Sequence, residues 1–253
     1  MQVSDIADRY DERLCPGDYE DAATNGVQVG PLDGEVERVA FAVDAAVATV
    51  EEAIEWGADL LVVHHGVVWG GLDAVTGREY DRIRPLVDAG CALYAAHLPL
   101  DGHPELGNAA QLADALDVEN RAPFGAHAGE HVGVRGTFTE PTTADDLAST
   151  LEAELDTGDQ PVQTLDFGPD ELSEVAILTG SGSDWLREAE AAGVDALVTG
   201  EGKGKLYHEA REAGVSVFLG GHYATETFGV RALQSLAGEW GVETAFLSHP
   251  TSL

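Results

Sequence analysis

Histidines and carboxylates recur in this chain at positions where they can bind metal ions. Residues 89–101 (AGCALYAAHLPLD) and 213–226 (AGVSVFLGGHYATE) each contain Ala-Gly, an apolar run, a histidine and a carboxylate four residues later. The two pairs are His97/Asp101 and His222/Glu226. A third cluster, His64-His65, ends the apolar run DLLVVHHG. Imidazoles and carboxylates are common metal ligands, so these positions predict a metal centre.

Two neighbouring metal ions can share this set of donors. Adjacent residues of a strand point to opposite faces, so His64 and His65 suit one ion each. A carboxylate can bridge two ions that lie about 3.5–4 Å apart. The candidate ligands are His64, His65, Asp101, His222 and Glu226. Mixed imidazole and carboxylate ligands favour Fe, Mn, Zn, Co or Ni. Glu226 has a second interpretation, because a carboxylate in a first helical turn is stabilised by the helix dipole without a metal.

Short apolar runs alternate with amphipathic segments along the chain. The predicted strands are 36–43, 60–63, 92–96, 131–138, 175–178, 196–199 and 216–219. The predicted helices are 45–56, 81–89, 108–116, 144–155 with Thr143 as N-cap, 184–192, 205–213 and 225–236; residues 156–168 are expected to form a loop. Apolar strands that alternate with helices are typical of parallel sheets covered on both faces. Ligands bind such sheets beyond the carboxyl ends of the strands, where the histidine clusters fall.

The two halves of the chain resemble each other. EAIEWGADLLVVHHG (52–66) aligns with EAEAAGVDALVTGEG (188–202), which places Glu201 opposite His65. We therefore predict an α/β protein of two related lobes with mostly parallel sheets, 1–125 and 126–253, and a metal site at their joint. C-terminal elements can pack with the first lobe. The alternative to duplication is that two α/β units look alike through a shared pattern.

The charge of the chain is extreme, with 46 acidic residues, 13 Lys plus Arg and a formal net charge of −33. Such a chain repels itself in ordinary salt, whereas at molar salt the Debye length falls to about 3 Å. We infer a salt-rich cytoplasm and expect no broad nucleic-acid binding, which needs clustered Lys and Arg. No apolar run is long enough to span a membrane. The N-terminus lacks the pattern of a signal peptide, so a cytoplasmic location is expected.

Other candidate groups give weaker signals. Residues 180–183 (GSGS) follow a strand and open a helix, as phosphate-binding loops do, but a tight turn is the alternative. The only lysines, Lys203 and Lys205, can contact an anionic substrate or simply lie on the surface. The two cysteines, Cys15 and Cys91, indicate no disulfide framework.

Four motifs resemble the Nif-three-like family, whose members are named GTP cyclohydrolase 1 type 2 homologues. They are TNGVQVG (24–30), VVHHGVVWGG (62–71), AAHLPLDGHPELGN (95–108) and GGHYATE (220–226), in order over essentially the whole chain. The resemblance implies a Nif-three-like fold in its short, two-domain form, a dinuclear metal centre between the domains and a toroidal homo-hexamer. It implies the ligands His64, His65, Asp101, His222 and a bridging Glu226, with His97 close by. The family commonly has Gly-Asp where this chain has Gly200-Glu201.

Two functional hypotheses follow. The first is a metal-dependent hydrolase of GTP cyclohydrolase type, which acts on a nucleotide or similar small molecule with two divalent ions, while His97 or Glu201 moves protons. The second is a protein without enzymatic activity that stores or delivers a metal, such as iron, for cofactor assembly. A ring around nucleic acid fits the implied toroid but not the charge of −33.

Overall fold

The computed structural model describes residues 1–158 and 160–252 and divides the chain into two compact units. The first unit contains Met1–Leu100 and Val230–His249, and the second contains Asp101–Gly229 and the residues from Pro250 onward. The predicted α/β class is confirmed, because each unit contains a sheet and helices. A C-terminal segment returns to the first unit.

The first unit contains a five-stranded sheet. Its elements are α1 (Val3–Leu14), β1 (Gly26–Val29), β2 (Arg38–Asp44), α2 (Val47–Trp56), β3 (Leu60–His65), α3 (Arg78–Ala89), β4 (Ala92–Ala95) and β11 (Glu243–Phe246). The strand order is β1-β4-β3-β2-β11, and only the β1–β4 pair is antiparallel. Side chains of β2, β3 and β4 are almost wholly buried, as expected for strands covered on both faces. Two helices lie at the divisions of the chain, α4 (Leu98–Gly102) and α10 (Thr227–Glu239).

The second unit contains a six-stranded sheet. Its elements are α5 (Asn108–Ala115), β5 (Val118–His127), β6 (Glu130–Thr142), α6 (Ala144–Glu154), β7 (Gln163–Leu165), β8 (Leu172–Leu178), α7 (Leu186–Ala192), β9 (Ala196–Thr199), α8 (Leu206–Ala213), β10 (Ser216–Leu219) and α9 (His222–Thr225). The strand order is β5-β6-β8-β9-β10-β7. Strands β8, β9 and β10 form a parallel centre, and the other pairs are antiparallel. The boundary predicted between residues 125 and 126 falls inside β5.

A small hydrogen-bond network occurs once in each unit. In the first unit, the Asp59 carboxylate accepts from the backbone N–H groups of Glu37 and Arg38, at 2.9 and 3.0 Å. In the second, the Asp195 carboxylate accepts from those of Ser173 and Glu174, at 2.8 and 2.9 Å. Asp59 and Asp195 occupy equivalent positions in the two aligned segments. The same side chain therefore ties one strand to the start of its neighbour in both units, which supports the predicted duplication.

Several local predictions hold, and others need adjustment. Thr143 caps α6, since its hydroxyl accepts from the Asp146 N–H at 3.2 Å. The loop predicted at 156–168 contains strand β7, and residue 159 within it lies outside the described residues. The last predicted helix is divided at Glu226 into α9 and α10. No helix in the described part of the chain combines the length and apolar character needed to cross a membrane.

Candidate metal centre

Three histidines of the first unit lie together at the carboxyl edge of its sheet. His64 and His65 end β3, and His97 follows the neighbouring parallel strand β4. The His64 ring centroid lies 4.6 Å from that of His65 and 5.1 Å from that of His97. One ring nitrogen from each histidine lies within 4.8 Å of the other two. Continuation of the strand sets His64 and His65 on different faces, yet the two rings still approach each other.

The hydrogen bonds of His64 and His65 determine which nitrogen each ring can offer. His64 Nδ1 lies 2.8 Å from the carbonyl oxygen of Ala96, which can only accept a hydrogen bond. His65 Nδ1 lies 2.9 Å from Asp44 Oδ1. With Nδ1 as the donor, each neutral ring carries its lone pair on Nε2. This is the usual arrangement of a metal-binding histidine, whose second nitrogen donates to a carbonyl or a carboxylate.

Asp21 holds His97 in the same arrangement. Its Oδ1 accepts from His97 Nδ1 at 2.8 Å and from the Ala23 N–H at 2.9 Å. Its Oδ2 accepts from Asn25 Nδ2 and the Leu98 N–H, both at 3.0 Å. Asn25 Oδ1 in turn accepts from the His97 N–H at 2.7 Å. Burial raises the pKa of Asp21, but the hydrogen bonds from His97, Asn25 and Ala23 outweigh it and hold the pKa well below its usual range.

In the second unit, Asp101 is a buried carboxylate with polar partners. Its Oδ1 accepts from Asn108 Nδ2 at 2.8 Å and from Thr179 Oγ1 at 3.3 Å. Asn108 is itself fixed, because its Oδ1 accepts from the Gly229 N–H at 2.7 Å. Both partners of Asp101 in these bonds are neutral, so they orient the carboxylate without neutralising its charge.

His222 lies between two carboxylates of the second unit. Its Nε2 is 3.2 Å from Glu226 Oε1, and its Nδ1 is 3.5 Å from Glu201 Oε1. The Glu226 side chain is buried, whereas that of Glu201 is 46% exposed. Gly180 packs against this pair, since a Cβ at Gly180 would overlap Glu226 Oε1 and lie 3.1 Å from His222 Nε2. The structure therefore brings together three of the residues singled out in the second half of the sequence.

Two backbone amides of the loop at 180–183 already have acceptors within the protein. The Gly180 N–H donates to Thr225 Oγ1 at 3.1 Å, and the Gly182 N–H donates to Thr199 Oγ1 at 2.9 Å. Thr199 Oγ1 also donates to the Gly180 carbonyl at 3.3 Å. Threonine hydroxyls thus take the two glycine amides that a phosphate could otherwise use, which favours the tight-turn interpretation.

Both lysines pair with one carboxylate. Lys203 Nζ contacts Asp184 Oδ2, and Lys205 Nζ lies 3.3 Å from Asp184 Oδ1. These two hydrogen-bonded ammonium groups lower the pKa of Asp184. Lys205 also lies 3.5 Å from Glu209. Both lysines therefore form ion pairs at the protein surface, and an anionic ligand would have to compete with Asp184 for them.

A cavity of about 480 Å³ lies at the carboxyl ends of β9 and β10, beside Glu201. Glycines 200, 202, 220 and 221 form much of its wall, together with the side chains of Gln160 and Gln163. Among the described residues that line it, Glu201 is the charged one. Its chemistry suits a ligand with uncharged hydrogen-bonding groups more than a phosphate.

The ligand atoms described above fit a divalent metal ion of the first transition row. They are imidazoles and carboxylates, and both described cysteines lie elsewhere, with Cys91 buried under the first sheet. Buried carboxylates such as Asp101 and Glu226 are costly unless they pair or coordinate a metal. The residues therefore fit the divalent ions predicted from the sequence, Fe, Zn, Mn, Co or Ni.

Comparisons with known proteins agree on one family. The family model described as Duf34/NIF3 (NGG1p interacting factor 3) matches residues 1–252. A Halobacterium salinarum protein named GTP cyclohydrolase 1 type 2 homolog is 72% identical over 253 residues, 100% of both chains. An Escherichia coli protein of the same name is 37% identical over 99% of both.

Solved structures show the same fold. The structure of protein ybgI matches with a TM-score of 0.90 and 34% identity over 100% of both chains. That of TTHA1606 from Thermus thermophilus matches with a TM-score of 0.89 and 36% identity, again over 100% of both. The resemblance seen in the four sequence motifs is thus confirmed, and the chain belongs to the DUF34/NIF3 family.

Proposed function

We propose that this protein is a hydrolase of GTP cyclohydrolase type that binds two divalent metal ions and depends on them for activity. The proposed ligands are His64, His65, Asp101, His222 and Glu226, with Glu226 as the bridging carboxylate. The observation that carries the proposal is the hydrogen bond from Nδ1 of His64 to a carbonyl and from Nδ1 of His65 to a carboxylate, which orients Nε2 of each ring to serve as the ligand atom. The names of the curated relatives, GTP cyclohydrolase 1 type 2 homolog, support the reaction class.

Bound divalent ions would supply a water molecule of lowered pKa and would polarise the atom that it attacks. His97 and Glu201 are the proposed proton carriers. Asp21 keeps the His97 ring in one tautomer, so that Nε2 can accept a proton. The Glu201 side chain is partly exposed beside the cavity and close to His222 Nδ1, where it can exchange protons with a ligand and with solvent.

The proposed substrate is a nucleotide or a related small molecule. Since Lys203 and Lys205 pair with Asp184, the metal ions would have to neutralise any phosphates. We also propose a homo-hexamer, which light scattering of the purified protein at high salt would test by its mass.

Metal content per chain tests the ligand set. We expect two ions in the parent protein and one or none in His65→Ala and Glu226→Ala. His131→Ala is the matched control, since His131 is an exposed histidine on β6, and it should retain both ions. Unchanged metal content in His65→Ala and Glu226→Ala would refute the site.

Turnover separates the two functional hypotheses. Metal-loaded protein in molar KCl is expected to convert GTP, with activity lost in Glu226→Ala and retained in His131→Ala. A protein that holds two ions, converts no nucleotide and exchanges one ion rapidly would instead favour metal delivery.

A further inference from the structure

An exposed tryptophan lies beside the cluster of His64, His65 and His97 in the first unit. The Trp69 ring centroid lies 5.0 Å from that of His97, with the planes at 73°, and 5.9 Å from that of His65. The residue is nevertheless 43% exposed. Tryptophan combines a large apolar face with a polar N–H and is enriched at binding surfaces, so an indole held open next to candidate ligands indicates such a surface.

The segment that carries Trp69 is fixed, although it has no regular secondary structure. Gln28 Oε1 accepts from the N–H groups of Val67 and Val68, at 2.7 and 3.1 Å. On either side of Trp69, the Val68 carbonyl accepts from the Thr24 N–H at 3.0 Å, and the Gly70 N–H donates to the Ala22 carbonyl at 2.7 Å.

The indole itself is also held. Trp69 Nε1 donates to the Gly66 carbonyl at 3.1 Å, so the ring is fixed at its polar end as well as through the backbone. A ring fixed in this way can receive a planar ligand without a large loss of conformational freedom.

We infer that Trp69 is a stacking surface for a planar aromatic ring of the substrate, such as a purine base. Stacking on an indole accepts every base, because each base has a π face. Residues 66–77 contain one charged residue, Asp73, and no cation, so this segment suits a ring rather than a phosphate. A cationic ligand is disfavoured here, since divalent ions held by the neighbouring imidazoles would themselves carry positive charge. The inference rests on the proposed function, which places the metal ions beside the stacked ring.

Ligand binding by metal-loaded protein in molar KCl tests the inference. Guanosine is the probe, ribose is the comparison without a ring, and calorimetry gives the affinity. Trp69→Leu is expected to weaken guanosine binding about tenfold, whereas Trp69→Phe, which keeps an aromatic face, should stay within about threefold. Leu72→Ala is the matched control, because it removes another exposed apolar side chain of the same segment and should change the affinity less than about twofold.

Three results would overturn the inference: guanosine affinity in Trp69→Leu within about twofold of the parent, ribose binding as tight as guanosine binding, or no guanosine binding by a parent that holds its metals. Metal content is measured for every variant and should not change. A parent that binds guanosine through Trp69 but converts no nucleotide would retain the stacking surface and refute the hydrolase. Nucleotide turnover that is unchanged in Trp69→Leu would support the hydrolase and refute the stacking surface.

Discussion

Gly180→Ala should disturb the His222/Glu226 pair through a single added carbon. Gly180 has φ of +59°, in the left-handed region, and the new Cβ would overlap Glu226 Oε1. It would also lie 3.1 Å from both Glu226 Cδ and His222 Nε2. The Glu226 carboxylate must shift to avoid the overlap, and it has little room to do so because the side chain is buried. His222 Nε2 must give way by a few tenths of an ångström.

A second glycine separates backbone strain from the overlap. Gly193 has φ of +71°, but a Cβ added there meets nothing within 4 Å. Left-handed backbone costs alanine about 1–2 kcal/mol, so Gly193→Ala should lose that amount. Gly180→Ala should lose a further 1–3 kcal/mol or so from overpacking. We therefore expect the free energy of unfolding to fall by about 2–5 kcal/mol in Gly180→Ala.

Urea unfolding in molar KCl, followed by circular dichroism, measures the two free energies. Competition with a coloured chelator measures metal affinity, which should fall about 10–100-fold in Gly180→Ala, as when a group that positions a ligand is changed. Gly193→Ala should bind metal as the parent does. Equal stability losses in the two variants, or parent-like metal affinity in Gly180→Ala, would refute the packing argument.

Three further predictions concern stability and reactivity. The Asp21 carboxylate accepts four hydrogen bonds, and in Asp21→Asn an amide N–H₂ would face two of those donors, which should lower the free energy of unfolding by about 2–6 kcal/mol. The control Asp33→Asn, at an exposed position, should change it by less than about 0.5 kcal/mol. A loss below about 1 kcal/mol in urea unfolding of Asp21→Asn would contradict this. Burial and nearby Asp59 raise the pKa of Cys91 to about 12, so a thiol reagent at pH 8 should modify exposed Cys15 and reach Cys91 only after unfolding; two fast-reacting thiols would be the contrary result. Raising KCl from about 0.1 M to about 1 M should raise the thermal midpoint, because screening weakens repulsion among charges that sum to −33; an unchanged or lower midpoint would oppose it.

The sequence predicted the central strands and missed the edge strands. Apolar runs identified β2, β3, β4, β6, β8, β9 and β10. The missed strands, β1, β5, β7 and β11, are the outer strands of the two sheets. An edge strand has one neighbour and needs less continuous apolar character, so its pattern is weak. β5 (VENRAPFGAH) even contains Pro123, which an edge position tolerates because it needs fewer backbone donors.

The candidate ligands could be recognised from residue type and position, whereas their supporting residues could not. His64, His65 and His97 follow apolar strands, a signal that lies within a few residues of each. Asp21 contacts His97 across 76 residues of sequence, and nothing near Asp21 in the chain marks it as a partner. The motif TNGVQVG came close, since it contains Asn25, which binds both residues. The pairing of both lysines with Asp184 likewise depends on tertiary structure.

The pairing of β2 with β3 has a chemical consequence for His65. In that parallel ladder, Asp44 lies opposite His65, and its carboxylate receives the Nδ1 proton. Moving β2 by one position would turn the Asp44 side chain to the other face of the sheet and leave Nδ1 to another acceptor. The alignment of two backbones therefore selects the tautomer of a side chain. An insertion or deletion in the connection between these strands, which contains α2, would thus act on the tautomer of His65 without replacing any residue at the sheet edge.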